Sequence, residues 1–127
     1  MSGVRLQHIG FTFPPGREDA IRAFYGGTLG IAEMPVPPEV ADKGWIWFAT
    51  RDEGIELHFI PADAPPDTSR RHHFCLQVAD MDATRARLEA DGAPLIDAGS
   101  RIIGRDRLFT RDPVGNLVEL VRFTDLR

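Results

Sequence analysis

Phe109-Thr110-Arg111-Asp112-Pro113-Val114-Gly115-Asn116-Leu117-Val118-Glu119-Leu120 reads as strand, tight turn and strand, and the chain carries an earlier echo of it. The echo is Phe48-Ala49-Thr50-Arg51-Asp52-Glu53-Gly54-Ile55-Glu56-Leu57. Upstream of each copy lies a short apolar run opened by a histidine, His8-Ile9-Gly10-Phe11 in the first half and His73-Phe74-Cys75-Leu76 in the second. One motif is written twice, each time with one histidine and one glutamate. Such a duplication can bring four metal-ligating side chains to one pseudo-twofold axis. Imidazole nitrogens and carboxylate oxygens suit a borderline or hard divalent ion.

Working outward, Pro61-Ala62-Asp63-Ala64-Pro65-Pro66-Asp67-Thr68-Ser69-Arg70-Arg71 separates the halves. Its adjacent prolines remove backbone donors and favour extended chain, so residues 62–71 read as a linker. In the first half Val4–Phe13 reads as a strand closed by Pro14-Pro15-Gly16. Glu18–Leu29 reads as a helix with Ile21, Phe24, Tyr25 and Leu29 on one face. Gly30 stands where a left-handed cap is needed. A loop with Pro35, Pro37 and Pro38 follows, then strands at Trp45–Thr50 and Ile55–Ile60 around an Arg51–Gly54 turn. In the second half His73–Val78 is a strand, and Asp80 is placed to cap a helix over Met81–Ala90 that ends at Asp91-Gly92. Strands follow near Pro94–Asp97, Arg107–Arg111 and Leu117–Phe123. The order is β-α-β-β-β, twice.

Strand parity then sorts the side chains, because successive residues point to opposite faces. Ile9, Phe11 and Phe13 share a face and leave His8 on the other. Phe74, Leu76 and Val78 oppose His73, Cys75 and Gln77. Ile55, Leu57 and Phe59 oppose Glu56 and His58, while Val118 and Leu120 oppose Leu117, Glu119 and Val121. If the helices cover the greasy faces, His8, Glu56, His73 and Glu119 all look to the concave, helix-free side.

A length of 127 residues fits one domain with a real core, composed of a first module at about 4–61 and a second at about 72–123. Hydrophobic residues at 43% and charged residues at 27% are ordinary for a globular protein. A net charge of −4 argues against general affinity for nucleic acid or an anionic membrane, both of which need a concentrated basic surface. Nothing reaches the roughly 18 consecutive apolar residues of a spanning helix. The start of the chain lacks a signal-peptide core, and the single Cys75 fits a reducing compartment, so the expected location is the cytoplasm.

This organisation resembles the vicinal oxygen chelate superfamily, which includes glyoxalase I, bleomycin-resistance proteins, fosfomycin-resistance enzymes, methylmalonyl-CoA epimerase and ring-cleaving dioxygenases. The resembling residues are Leu6-Gln7-His8-Ile9-Gly10-Phe11, Ala23-Phe24-Tyr25 with Leu29-Gly30, Ile55-Glu56-Leu57, His73-Phe74-Cys75-Leu76-Gln77-Val78 and Asp112–Leu120. The resemblance implies an α+β fold of two βαβββ modules whose sheets curve into an open mixed β-barrel, usually in a homodimer. It also implies a divalent metal cofactor, Zn, Ni, Fe or Mn. Its glyoxalase-like ligand set is His8, Glu56, His73 and Glu119. The fosfomycin-enzyme and dioxygenase pattern uses His8, His73 and Glu119.

Each assignment has a plainer competitor. Strand histidines are commonly solvated, Glu119 can pair with an arginine such as Arg111, and His58, two residues past Glu56 on the same face, competes with it as ligand or contacts substrate. Trp45 and Trp47 line a cavity or simply pack. The loop Ala98–Arg107 carries three arginines, Arg105 among them, and with Arg111 beyond it can close on a carboxylate or phosphate or remain solvated. Cys75 has no evident base and is a poor nucleophile candidate. The expected function is a metal-dependent, glyoxalase-like lyase or isomerase that chelates two oxygens of a small metabolite, with Glu119 or Glu56 as base. The alternatives are a metal-free drug- or metabolite-binding protein and a ferrous ring-cleaving dioxygenase.

Overall fold

The computed structural model describes residues 3–50, 54–63 and 72–124. The chain divides into two compact units, Met1–Pro65 and Pro66–Arg127. Most of the linker and the tip of the Arg51–Gly54 turn fall outside the described residues. Among the described residues no helix is long and apolar enough to cross a membrane.

The first unit contains β1 (His8–Phe13), a helix α1 (Glu18–Ile21) continued by a π-helix (Arg22–Thr28), β2 (Ala32–Met34), a short 3₁₀ turn (Pro38–Val40), β3 (Ile46–Ala49) and β4 (Glu56–Pro61). Its sheet runs β1-β4-β3-β2, with β1 parallel to β4 and the other pairs antiparallel. The wider helical turn is visible in the bond from Leu29 N–H to the Phe24 carbonyl, five residues back. Gly30 then takes φ +72°, a left-handed conformation glycine adopts without a Cβ clash, and the chain turns into β2. The helical residues Ile21, Phe24 and Tyr25 are buried with Ile46, Phe48, Leu57 and Phe59 from the sheet. Tyr25 stands 4.7 Å from Phe59 and 5.8 Å from Phe48, ring centre to ring centre. This aromatic layer is the first core.

The second unit contains β5 (His73–Gln77), α2 (Met81–Ala90), β6 (Arg105–Arg111) and β7 (Leu117–Phe123), in the sheet order β5-β7-β6. Ile96 adds an isolated antiparallel bridge to Phe109, at the place β2 occupies in the first unit. Asp80 caps α2 by accepting from the Ala83 amide at 3.0 Å. The core collects Met81 and Leu88 from α2 with Phe74, Leu108, Val118 and Leu120 from the strands.

Both units therefore have the expected α+β, βαβββ order, with boundary corrections. Three-residue β2 lies in the stretch that reads as a Pro-rich loop, because strand pairing with β3 overrides its weak local signal. The strand expected at Pro94–Asp97 shrinks to the single Ile96 bridge, whereas β6 begins two residues earlier than its apolar pattern, at Arg105. Val4 and Leu6, read as strand, precede β1 and are exposed.

Candidate functional site

Parity holds in both sheets. Core residues lie on one face, and His8, Glu56 and His58 in the first unit, with His73, Cys75 and Glu119 in the second, lie on the other. β7 is buried along both faces, so Glu119 is only 7% exposed. A buried carboxylate requires partners.

In the first unit His8 sits directly across from Glu56 in the parallel ladder, and Gly10 across from His58, which faces Trp47 on its other side. Glu56 Oε1 accepts from His58 Nε2 at 2.8 Å. Gln7, which the sequence did not single out, hydrogen-bonds both neighbours: its amide oxygen accepts from His8 Nδ1, and its side chain also bonds Glu56. Since a carboxylate only accepts, the amide nitrogen is the end that serves Glu56, and the oxygen is left for His8. Neutral His8 is thereby held as the Nδ1–H tautomer, which leaves the lone pair on Nε2. The His58 hydrogen bond first, then Gln7 and the nearby imidazoles, keep the Glu56 carboxyl below the usual carboxylate range against an opposing effect of burial. Rings stack across this face: His8 on His58 at 4.0 Å and His58 on Trp47 at 3.7 Å, within 2° of parallel, with Trp45 6.4 Å beyond. Trp47 Nε1 is buried with no hydrogen-bond partner among the described residues.

In the second unit the Glu119 carboxylate is held by His73 and Arg107, and the Cys75 thiol also hydrogen-bonds it. Oε1 faces His73 Nε2 at 3.0 Å and Oε2 accepts from Arg107 Nε at 2.9 Å. The arginine pairing envisaged for Glu119 is thus made by Arg107 and not by Arg111. Arg111 instead donates to the Gly115 carbonyl at 2.9 Å and braces the Asp-Pro-Val-Gly-Asn turn. That turn owes its form to Asp112, whose Oδ1 accepts from the Val114 and Asn116 amides and whose Oδ2 accepts from Asn116 Nδ2. Gly115, at φ +97°, completes it. The turn sets where β7 starts and hence where Glu119 lies.

A cavity of about 580 Å³ opens beside this cluster, lined by His73, Ile96, Asp97, Ala98, Arg107, Phe109, Arg111 and Leu117. Of the two proposed substrate arginines, Arg111 lines it, while the Arg105 guanidinium lies 5.4 Å over the Phe123 ring. Cys75 is exposed, yet the protein around its sulfur removes part of the solvent, and that desolvation, reinforced by the Glu119 carboxylate, pushes its thiol up to about 11. At neutral pH it is a thiol, not a nucleophile.

The donor chemistry fits a divalent ion. Tetrahedral ligands 2.0–2.2 Å from one ion stand about 3.3–3.6 Å apart, whereas the pairs His73 Nε2–Glu119 Oε1 at 3.0 Å and His58 Nε2–Glu56 Oε1 at 2.8 Å are at hydrogen-bond length. Among the described residues no group of three or more His, Cys, Asp or Glu is gathered as a metal site, so each unit offers a two-donor edge.

Comparison with known proteins agrees with this fold. The sequence profile of the glyoxalase/bleomycin resistance protein/dioxygenase superfamily matches residues 7–110. An ethylmalonyl-CoA/methylmalonyl-CoA epimerase from Cereibacter sphaeroides is 31% identical, over 91% of this chain and 96% of its own. A crystal structure of a glyoxalase family protein from Bacillus anthracis superimposes with a TM-score of 0.83 at 28% identity, covering 98% of this chain and 99% of that one. A genomically encoded fosfomycin resistance protein from Listeria monocytogenes shares the fold, with a TM-score of 0.73 at 18% identity over 98% and 95% of the two chains. With a matching profile across most of its length and a relative above 30% identity, the chain belongs to the glyoxalase/bleomycin resistance protein/dioxygenase superfamily.

Proposed function

We propose that the protein is a metal-dependent isomerase or lyase of glyoxalase type, which takes a proton from a carbon next to a carbonyl of a small oxygenated metabolite. The observation that carries this reading is the buried Glu119 carboxylate, held between His73 and Arg107 beside a 580 Å³ cavity. His8, His73, Glu119 and Glu56, with His58 as the alternative to Glu56, are the residues that would hold a divalent ion, Zn, Ni, Fe or Mn. Such an ion, when bound, polarises a substrate oxygen and makes the adjacent C–H more acidic.

The remaining work belongs to the chain itself. Glu119 accepts the proton at Oε1, the oxygen turned toward His73, while Arg107 holds Oε2. Gln7 fixes the His8 tautomer through Nδ1. Arg107 and Arg111 give the cavity two cationic groups against the single acid Asp97, and Ile96, Phe109 and Leu117 add apolar contacts, which suits an acyl group bearing an anionic end. The similarity to an ethylmalonyl-CoA/methylmalonyl-CoA epimerase favours an acyl thioester and an isomerase over a lyase.

The test uses protein purified without a tag or added metal. Metal is quantified before and after divalent-ion addition, and hydrogen exchange at the α-carbon of acyl thioesters and α-ketoaldehydes is followed in deuterated water. Wild type is expected to bind metal and exchange, and His73→Ala to lose both. Unaltered metal content in His73→Ala rejects the ligand assignment.

A second reading, a metal-free binder of planar molecules, is favoured by the ring column of His8, His58, Trp47 and Trp45. Strong Trp fluorescence quenching by aromatic ligands in protein stripped of metal, with no exchange chemistry under any condition, would select it. A homodimer and a cytoplasmic location complete the proposal.

A further inference from the structure

Arg107 lines the second-unit cavity and is fixed there by three contacts. Nε donates to Glu119 Oε2 at 2.9 Å, Nη1 donates to the Ser100 carbonyl at 2.9 Å, and the guanidinium carbon lies 5.8 Å over the Phe109 ring. The side chain is only 14% exposed. A guanidinium carries five N–H donors. One on Nε and one on Nη1 are taken, and the remaining N–H groups, both of those on Nη2 included, have no partner among the described residues. The fully buried side-chain atoms without a partner among those residues are Trp47 Nε1 and Thr110 Oγ1. Nη2 is therefore not sealed inside the protein, and the open space beside this residue is the cavity. A ligand oxygen there meets a preorganised cationic donor in a mostly buried site, where a charge-assisted hydrogen bond is strong.

We propose that Arg107 is a catalytic residue whose remaining N–H groups bind the carbonyl oxygen of the substrate and stabilise the enolate formed there. This rests on the reading of Glu119 as base. In an acyl group the carbonyl oxygen is two bonds from the α-carbon, so one small ligand can present its C–H to Glu119 Oε1 and its oxygen to Arg107. The C–H bond breaks and the proton bonds to Oε1. The C–H electron pair forms a C=C bond, and the carbonyl π pair moves onto oxygen. Glu119 turns neutral as that oxygen turns anionic, so Arg107 exchanges one counter-ion for another and the net charge of the site is unchanged. An interaction that strengthens only as charge develops lowers the barrier itself.

The experiment uses the untagged full chain in the presence of a chelator. Calorimetry measures the binding of β-nitropropionate, once in its nitro form and once as the freshly prepared nitronate, a planar anionic mimic of an enolate. Wild type is expected to bind the nitronate about a hundredfold more tightly than the nitro form, the usual worth of one oxyanion donor. Arg107→Met should lose that preference while binding the nitro form within about threefold of wild type. Because Arg107→Met strands a buried carboxylate, the Arg107→Met/Glu119→Gln double variant is measured beside it and should lose the preference as well. Glu119→Gln alone should keep or raise it, since the neutral amide stands in for the protonated acid. Arg107→Lys retains the charge but not the fork that holds a carboxylate and a ligand oxygen together, and should lose about tenfold or more. A preference that is absent in wild type, survives in Arg107→Met or the double variant, or is complete in Arg107→Lys overturns the inference and leaves the base assignment standing. Hydrogen exchange at the α-carbon of acyl thioesters at the wild-type rate in Glu119→Gln removes the base, and the inference falls with it.

Discussion

The two units share a strand ladder but not the chemistry mounted on it. In the first, Trp47 faces His58, which faces Gly10, two residues beyond His8. In the second, Phe109 faces Glu119, which faces Cys75, two residues beyond His73. By ladder position, then, Glu119 corresponds to His58, and Glu56 corresponds to Leu117. The sequence echo instead pairs Glu56 with Glu119. The hairpins explain the discrepancy. Six residues separate paired Ala49 from Glu56, five separate Arg111 from Leu117, and the textual match absorbs this difference in the wrong place. Duplication has preserved pairing geometry and core parity, while the site face has diverged: an aromatic stack with a histidine-bound carboxylate on one side, and an arginine-bound carboxylate beside a cavity on the other.

That contrast predicts unequal roles for the two acids. Glu119→Gln removes the carboxylate next to the cavity and is expected to lower turnover by about 10²–10⁴-fold, the usual worth of a positioned base. Glu56→Gln keeps a hydrogen-bond acceptor for His58 and should cost about tenfold or less. Parallel kcat/KM measurements decide the matter. Equal losses would mean that both acids bear the chemistry and that the ladder comparison misassigns Glu56.

Cys75 tests the electrostatics of the second unit, since its ladder counterpart, Gly10, carries no side chain at all. Burial and Glu119 raise the thiol from 9.0 to about 11. The thiolate is the reactive species, so alkylation at pH 8 should run about a hundredfold slower than for an ordinary cysteine. The rate should rise about tenfold per pH unit and level off only near pH 11. Glu119→Gln should move that profile down. A wild-type midpoint near 9 would show that the sulfur is neither desolvated nor sensitive to the carboxylate.

The turn that sets the start of β7 gives a stability test. Asp112 is 4% exposed and accepts three hydrogen bonds. Asp112→Ala strands those donors and should cost about 3 kcal/mol, a fall of roughly 10 °C in Tm. In the first unit Gly54 takes φ +72° at the end of the corresponding turn, and Thr50 Oγ1 donates to the Ile55 carbonyl at 2.6 Å. Gly54→Ala should cost only about 1 kcal/mol. Comparable losses would mean that the Asp112 network is worth no more than one glycine at positive φ.

How much of this was legible in the sequence follows from which interactions are local. Parity along β1, β4, β5 and β7 could be read because apolar alternation is a property of consecutive residues. So could the Asp80 cap and the helix over Met81–Ala90. Register between strands was not, since it depends on how many residues the turns absorb. The match of Phe48 with Phe109 was therefore misleading: Phe48 is wholly buried in the core, whereas Phe109 lies on the site face, with its ring 5.0 Å from His73. The partners of the site residues were also hidden. Arg107 reaches Glu119 because β6 pairs with β7 in the register that sets Phe109 opposite Glu119, with Arg107 two residues along the same face, and Gln7 matters only through its two neighbours. The one available signal for Arg107 was its parity, which it shares with Phe109 and Arg111.

The smallest expected effect comes from the corrected register. Phe48 faces Leu57 in the first ladder and Thr110 faces Val118 in the second, so these two residues hold the same core position. The first unit fills it with an aromatic ring. The second places there a wholly buried threonine whose hydroxyl has no hydrogen-bond partner among the described residues. An unpaired hydroxyl in an apolar layer destabilises, and valine matches threonine in shape without it. Thr110→Val should therefore raise stability by about 1 kcal/mol, seen as a Tm increase of a few degrees. Thr110→Ser, which keeps the hydroxyl and loses a methyl, should lower it. Loss of stability in Thr110→Val would mean that the hydroxyl is hydrogen-bonded in solution and that the second core is not the dry counterpart of the first.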